Sequence, residues 1–465
     1  MNSHRTLWNQ TEQASNFIPT AVDLFAGSGG ISEGFINAGF NVAAFLECDP
    51  SAAKTLRSRA AFHEFRSTRR LWHYNRYFRE EISFEELLRK FPDLADRIEA
   101  SVVEKAFGKH RYVDLIAALR NALKLQRLGK PNVLLGGPPC QAYSLVGRSR
   151  DPNRMQNDGR HFLYQHYLDV LSDLQPDFFL LENVPGLLTA KANGEDTFEK
   201  ILTDFAQIEP AYEVAPTYSE YRRNPRGYLI DSSWYGVPQK RKRVLLIGYR
   251  KRLAEKHPSI RTVFKQLLLQ KLNTVLTVDD AIGDLPPLKP GEGNDGWYGD
   301  YDFKQLKAYQ LAMRSRSPGI SNHRARTHMG SDLERYRFFI NHHLNGDKRA
   351  TLLDLLTERP HLKPEHDHLD KFIDRFKVQW WTRPSATIMA HIAKDGHYYI
   401  HPDQHQCRSF TVREAARCQS FPDNFKFEGP RTEQFKQVGN AVPPRMAQAV
   451  AKVLKRQLTQ IYGAA

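Results

Sequence analysis

The run Val133-Leu134-Leu135 ends in GGPPCQAYS, residues 136–144, and this junction limits the fold more than any other stretch of the chain. A short apolar run that stops at glycines and then at two prolines reads as a buried strand of a parallel α/β sheet ending in a stiff turn. Pro138 and Pro139 each fix φ and restrict the residue before them. Open sheets of this kind bind ligands at the carboxyl ends of their strands, so Cys140 stands where such folds keep their chemistry. A cysteine elsewhere usually serves as a small buried hydrophobe. Its place on this turn makes Cys140 a candidate nucleophile instead.

The same rhythm recurs on both sides of this turn. Residues 20–25 predict a strand that passes through AGSGG into a helix over 31–38, one half of a nucleotide-binding βαβ unit. A second strand over 41–46 ends at Glu47, about 20 residues beyond the glycines, where such folds place an acid for ribose hydroxyls. Asp23 and Glu47 are thus expected to frame an adenosine site. Ser32 occupies the third glycine position of GxGxxG, which argues against a nicotinamide enzyme. A helix over 162–174 precedes the apolar run 177–181, which leads into Glu182-Asn183-Val184-Pro185-Gly186, another strand end that presents a polar residue. Residues 244–247 form a further buried-type strand, entered through QKRKR. Between Arg222 and Lys251 only Asp231 is acidic against nine Lys and Arg, so this stretch is expected to face an anion.

A cysteine, a glutamate and an arginine pair at the strand ends of one sheet, beside an adenosine pocket, suit nucleophilic attack on an electron-poor ring. The thiolate is the attacking form and needs activation, because a free thiol titrates near ~8.5. Glu182 can protonate or hydrogen-bond a ring nitrogen, and arginine can hold an exocyclic oxygen or a phosphate.

Bulk properties agree with a soluble enzyme acting on a polyanion. The 465 residues are 41% hydrophobic, ordinary for a globular chain of two or three domains, and carry a formal charge of +15. Cys48, Cys140, Cys407 and Cys418 are too few for a disulfide framework and lack CxxC spacing, which points to a reducing cytosol. The first residues have no apolar signal-peptide core, and no apolar run of membrane-spanning length follows, so a cytoplasmic location is expected.

Six motifs together resemble the DNA (cytosine-5) methyltransferase family of bacterial restriction-modification or defence systems. They are DLFAGSGG (23–30), PPCQ (138–141), ENV (182–184), QKRKR (239–243), TVREAARCQSFPD (411–423) and QVGNAVPPRMA (437–447), in the family's order. The resemblance covers about residues 20–250 and 380–460. It implies an S-adenosylmethionine-dependent enzyme that releases S-adenosylhomocysteine, uses no metal and methylates carbon 5 of a cytosine flipped out of double-stranded DNA. Cys140 is then expected to attack carbon 6, Glu182 to support ring nitrogen 3, Arg243 to contact the exocyclic oxygen, and Arg241 to support the loop and phosphates. Asp23, Phe25, Gly27, Gly29, Glu47, Asp114, Pro138 and Asn440 are the cofactor residues it implies, with Phe25 against the adenine, Glu47 on the ribose and Asp114 on the adenine amino group. YVDLI departs from the family's glycine-aspartate pair around Asp114. Gln141, Ser144, Arg148 and Arg150 are the expected DNA contacts, and residues 145–160 the loop that closes over the flipped base.

Residues 252–381 correspond to the family's variable recognition region. Its histidines, His323, His328, His342, His343, His361, His366 and His368, lack metal-site spacing and are expected at the surface or on phosphates. Residues 66–79 alternate basic and aromatic side chains and 82–107 predict one or two amphipathic helices, an elaboration that is either a solvated helical face or an accessory surface for DNA or a partner. The expected architecture is a doubly wound, mostly parallel α/β sheet, the Rossmann-like methyltransferase fold. Its catalytic domain spans 1–255, with a helical insertion at about 57–110, and is completed by 436–465 including a helix over 445–458; a smaller recognition domain spans 256–435. The protein is expected to be a monomer without a membrane partner, associated with a cognate restriction or defence protein. An RNA (tRNA) cytosine-5 methyltransferase is the nearest alternative, which the long recognition stretch disfavours. A silent DNA-binding module would be expected to lose Cys140 or Glu182, and both are present.

Overall fold

The computed structural model describes residues 17–139, 163–192, 195–216, 220, 224, 226–301, 305–345, 349–365 and 373–463. Cys140, Gln141, Ser144, Arg148 and Arg150, the expected closing loop, and His366 and His368 lie outside the described residues.

An eight-stranded sheet forms the centre of the molecule. Strands β1 (Thr20–Leu24), β2 (Asn41–Glu47), β3 (Val102–Glu104), β4 (Val133–Gly136) and β5 (Phe178–Asn183) are parallel. Beyond them come β6 (Tyr212–Ala215), β7 (Leu229–Asp231) and β8 (Lys242–Arg250). Strand β8 runs antiparallel between β5 and β6 and also pairs with β7, giving the order β3-β2-β1-β4-β5-β8-β6. This is the mostly parallel α/β fold that the motif rhythm predicts. β1 and β5 are buried along their whole lengths, as expected of strands covered on both faces.

Each face has its own core. On one, Ile31 and Phe35 of α1 (Gly30–Asn37) pack with Val450 and Leu454 of the C-terminal helix Pro444–Tyr462. On the other, α6 (Tyr112–Leu125), α7 (Leu163–Leu174) and α8 (Thr197–Gln207) bring in Leu119, Leu171 and Phe205. Each such buried side chain contributes roughly 1.5–3 kcal/mol. The turn that leads into the C-terminal helix approaches α1 so closely that a Cβ on Gly30 would stand 2.2 Å from the Val442 carbonyl oxygen, which excludes any larger residue.

Between β2 and β3 the chain forms α2 (Pro50–Ser67), α3 (Leu71–Phe78), α4 (Phe84–Lys90) and α5 (Pro92–Ser101). The expected helical run through 107 stops earlier, because Val102 and Val103 pair with β2 and close the sheet edge. The alternation over 66–79 also resolves differently from a stacking surface. Tyr74, Tyr77 and Phe78 are buried with Phe62, Phe65 and Leu94, while Trp72 remains 59% exposed. This helical unit rests on the second lobe: the Tyr77 hydroxyl donates to Glu428 at 2.5 Å, and Phe78 meets Trp297 edge-on at 6.1 Å.

The second lobe is built around Val278–Ile282, the hairpin Gly293–Gly299 with Ile320–Arg324, and the helices Val412–Cys418 and Arg431–Asn440. Its histidines are not uniformly superficial, contrary to expectation. His323 is fully buried, its two ring nitrogens 3.0 Å from Thr411 Oγ1 and from the Pro286 carbonyl oxygen, and His343 is buried as well. Both serve as neutral polar residues within a core, a role that composition does not distinguish from surface histidine.

Candidate active site

The turn after β1 holds its backbone in the left-handed region at Phe25 (φ 54°), Gly27 (φ 55°) and Gly29 (φ 85°). Glycine adopts this conformation freely, whereas Phe25 is strained there and is held by its surroundings. Its ring lies 5.2 Å from Phe107, which stacks on His166 at 4.8 Å, so an aromatic wall borders the loop. Glu47, at the end of β2, accepts from the Gly27 N–H at 2.7 Å through one oxygen and from the Cys48 and Asp49 N–H groups at 2.7 and 2.8 Å through the other. A carboxylate has about four acceptor positions, so this anchored group keeps capacity for a hydroxyl. A strained aromatic, an open glycine turn and a fixed carboxylate at the switch point between β1 and its two parallel neighbours fit a cofactor that carries adenosine.

Asp23 lies beneath this pocket rather than at its rim. It is fully buried, accepts a hydrogen bond from the Ser32 hydroxyl, and burial, with Glu47 nearby, pushes its carboxyl up to about 7. That corrects the expectation that Asp23 itself frames the adenosine site. It also explains the serine in the third glycine position, whose hydroxyl is needed inside the loop. Asp114 sits in the first turn of α6 and accepts from Arg111 Nε and Nη2 at 2.9 and 3.0 Å. Its carboxyl is held below the ordinary range by that guanidinium. An adenine amino group contacting Asp114 would have to compete with this exposed ion pair.

On the other side of the switch point, the end of β4 faces the end of β5. Glu182 is nearly buried and its carboxylate pairs with Arg243 Nε at 2.7 Å. A Cβ placed on Gly137 would stand 3.0 Å from the second Glu182 oxygen, so the backbone leading to Cys140 passes directly over that carboxylate. Asn183 Nδ2 donates to the Pro138 carbonyl oxygen at 3.3 Å, tying the proline turn to β5. Sequence reasoning overlooked Asn183, although its place beside Glu182 in ENV was the available signal.

The basic stretch 239–243 is not a single anion-facing strip. Arg241 is buried, with Nη1 donating to the Ile388 carbonyl at 2.5 Å and Nη2 to the Gly439 carbonyl at 3.0 Å. Beside it Gln239 Oε1 accepts from the Ile388 N–H at 2.9 Å. Arg241 therefore joins the start of β8 to the second lobe and to the QVGNAV segment, in place of the expected support of phosphates. Arg250 is likewise paired with Asp177, and within 239–243 Lys240 and Lys242 are the exposed cations. Asn440 is exposed at the end of its helix, next to Gly439, where a Cβ would stand 2.3 Å from the Ala390 nitrogen.

The Thr411–Asp423 motif scaffolds the second lobe. Thr411 and Glu414 form a capping box, and Arg417 binds Asp423 and Asp284 in the interior.

The family model for C-5 cytosine-specific DNA methylase matches residues 20–78 and 102–456, passing over 79–101, which hold α4 and α5. Type II methyltransferase M.Bpa9945I of Bacillus paralicheniformis is 41% identical over 452 residues, covering 93% of this chain and 98% of its own. DNA (cytosine-5-)-methyltransferase M.ApeKI of Aeropyrum pernix is 30% identical over 390 residues, covering 70% and 81%. A crystal structure described as a DNA modification methyltransferase encoded within an E. coli prophage superposes with a TM-score of 0.59 at 22% identity, covering 95% of this chain and 99% of that one, a likeness of fold.

Proposed function

Because the chain belongs to the C-5 cytosine-specific DNA methylases and so uses S-adenosylmethionine to methylate cytosine in DNA, we propose that Cys140 is its nucleophile and that Glu182 and Arg243 hold the cytosine ring. The observation that carries this reading is the apposition of the β4 and β5 ends, where Gly137 overlies Glu182, Asn183 holds Pro138, and Arg243 pairs with the same carboxylate.

When bound, S-adenosylmethionine supplies an electrophilic methyl group. The Cys140 thiolate adds to carbon 6 of the cytosine, forming a carbon–sulfur bond, while the carboxyl of Glu182 shares a proton with ring nitrogen 3. Electron density moved to carbon 5 would form the new bond to the methyl carbon as the sulfonium–methyl bond breaks, its electron pair leaving on the sulfur of S-adenosylhomocysteine. A base then removes the carbon 5 proton, and its electron pair restores the ring double bond as the thiolate leaves. Arg243 Nε orients Glu182 and Nη1 donates to the Lys242 carbonyl at 2.8 Å, which leaves Nη2 to contact the exocyclic oxygen. Phe25, Gly27, Gly29, Glu47, Pro138 and Asn440 line the cofactor site, with Asp23 supporting the loop from below. Positioning both reactants in this way can lower the barrier by roughly 7–11 kcal/mol.

A stacked base hides carbon 6, so the target is flipped out of the duplex, with Gln141, Ser144, Arg148 and Arg150 contacting the opened DNA and 145–160 closing over it. The catalytic domain comprises 1–255 and 436–465, with the helix Arg431–Asn440 shared at its seam with the second lobe, and 256–435 reads the sequence. The names of the relatives favour DNA over tRNA and a restriction-modification role, which we extend to phage defence and a prokaryotic cytoplasm. The enzyme works as a monomer, without metal, alongside a cognate restriction or defence protein.

Duplex DNA carrying 5-fluorocytosine at the target tests the chemistry, because fluorine cannot leave as a proton and the adduct is retained. A covalent complex that forms with the parent enzyme and S-adenosylmethionine, and not with Cys140→Ala, is the expected result. Trapping by Cys140→Ala would refute the assignment.

A further inference from the structure

Where α1, α2 and the C-terminal helix meet the second lobe there is a cavity of about 190 Å³, lined by Glu33, Arg59, Arg66, Arg316, Arg445 and Gln448 among others. Its charges are unbalanced, four arginines against one glutamate. Glu33 is already fully engaged, accepting from Arg59 Nε and Nη2 at 2.7 and 2.6 Å and from Asn37 Nδ2 at 3.0 Å, with His63 Nε2 3.0 Å away. Arg59 spends its remaining group on Asn424, donating to the carbonyl oxygen and Oδ1 at 3.0 and 2.9 Å. Arg445 gives one N–H to the Gly236 carbonyl at 3.2 Å and stacks on Tyr309.

Arg66 and Arg316 are left over. Neither guanidinium has a carboxylate or carbonyl acceptor among the described residues, and Arg66 is half-buried. Burial and the neighbouring Arg59 and Arg316 cations push the Arg66 guanidinium below its ordinary range, as expected where like charges converge. The wall is completed by Pro444 and Arg445 in the first turn of the 19-residue C-terminal helix, which adds the positive end of a helix dipole.

We propose that this cavity is an anion site for a phosphate group, held by Arg66, Arg316 and Arg445. Guanidinium groups match tetrahedral oxyanions through paired N–H contacts, and the polar lining offers further donors. The phosphate is either free inorganic phosphate or the phosphoryl group of a small nucleotide. A DNA backbone fits the location poorly. Helix α1 starts at the cofactor loop and runs down the flank of the sheet, so Asn37, which also lines the cavity, lies roughly 12 Å along the helix from Gly29, away from the strand ends that handle the base. Because Arg66 comes from the sheet side and Arg316 from the second lobe, the bound anion ties the two lobes together.

Calorimetric titration of the full chain with inorganic phosphate, pyrophosphate and AMP at constant ionic strength tests this, comparing the parent with Arg66→Gln/Arg316→Gln. Saturable binding to the parent, weakened roughly tenfold or more in the double variant, is the expected result. With S-adenosylhomocysteine saturating the adenosine pocket, tighter binding of AMP or pyrophosphate than of phosphate would identify a nucleotide source, and the reverse order free phosphate. No saturable heat with any probe, or equal binding by the variant, overturns the proposal. So does loss of DNA affinity and salt slope in the variant with phosphate binding intact, which would assign the arginines to the DNA backbone. The exposed Arg316→Gln change alone provides the same comparison if the double variant does not fold.

Discussion

Asn183 illustrates what a single side chain can do without touching a substrate. Its amide holds the Pro138 carbonyl, so the turn that carries Cys140 cannot drift from Glu182. Asn183→Ala is expected to lower kcat by roughly 10²-fold, since a displacement near 1 Å has that effect, while leaving KM for S-adenosylmethionine nearly unchanged; parallel steady-state titrations of cofactor check both. Asp23 gives a second prediction, with a definite sign. Its folded carboxyl titrates at about 7, above the ordinary 3.8, so the native state keeps a proton that the unfolded chain has lost. The group's contribution is full below pH 4 or so and is lost as pH rises through about 7. Asp23→Asn stays neutral, so its gain in Tm over the parent is expected to be small at pH 5 and larger at pH 8; equal gains at both would contradict the burial argument. At this scale the charges at strand ends, Glu182 and Arg243, were legible because an exposed turn position is a chemical statement by itself. The roles of Asn183, Ser32 and Arg241 were not, because each depends on a partner distant in sequence or on the depth of its surroundings.

Among the elements, the strands of the sheet could be read from apolar runs ended by glycine and proline, and β1, β2, β4, β5 and β8 all lie where such runs fall. The helices α2 to α5 were harder to read. Basic and aromatic residues alternate along 66–79 whether the aromatic side chains face DNA or a private core, and here Tyr74, Tyr77 and Phe78 face a core. Phe78→Ala is expected to cost about 3–5 kcal/mol, by leaving a cavity between this unit and Trp297, as measured by urea denaturation. The helix Val412–Cys418 supports a sharper test. Arg417 bridges Asp284 and Asp423 in the interior, where Arg314 also holds Asp284 and Tyr301 also holds Asp423, so Arg417→Met removes their shared counter-charge and should destabilise the protein by about 3–5 kcal/mol. A change below 1 kcal/mol in the same measurement would show that Arg314 and Tyr301 satisfy those carboxylates by themselves.

For the molecule as a whole, the basic charge and the late motifs foretold a second lobe, but its interior was not foreseen. His323 and His328 are held near 4 and His401 near 3, each chiefly by burial, against an ordinary value of 6.5. Each stays neutral in the folded state while the unfolded chain takes up a proton, so stability is lost as pH falls from 6.5 through about 4. The Tm is therefore expected to drop steeply across that window, and His323→Asn, which cannot charge, should make the drop shallower. The packing of Gly30 under Val442 has a further meaning for how the protein is made. Helix α1 and the C-terminal helix touch at Asn37 and Gln448, 411 positions apart. On the ribosome, the face of α1 that those residues cover stays bare for on the order of tens of seconds while the intervening chain is synthesised. The cofactor loop at the head of α1 is thus translated long before the residues that complete its packing, so methylation has to await synthesis of the C-terminal helix.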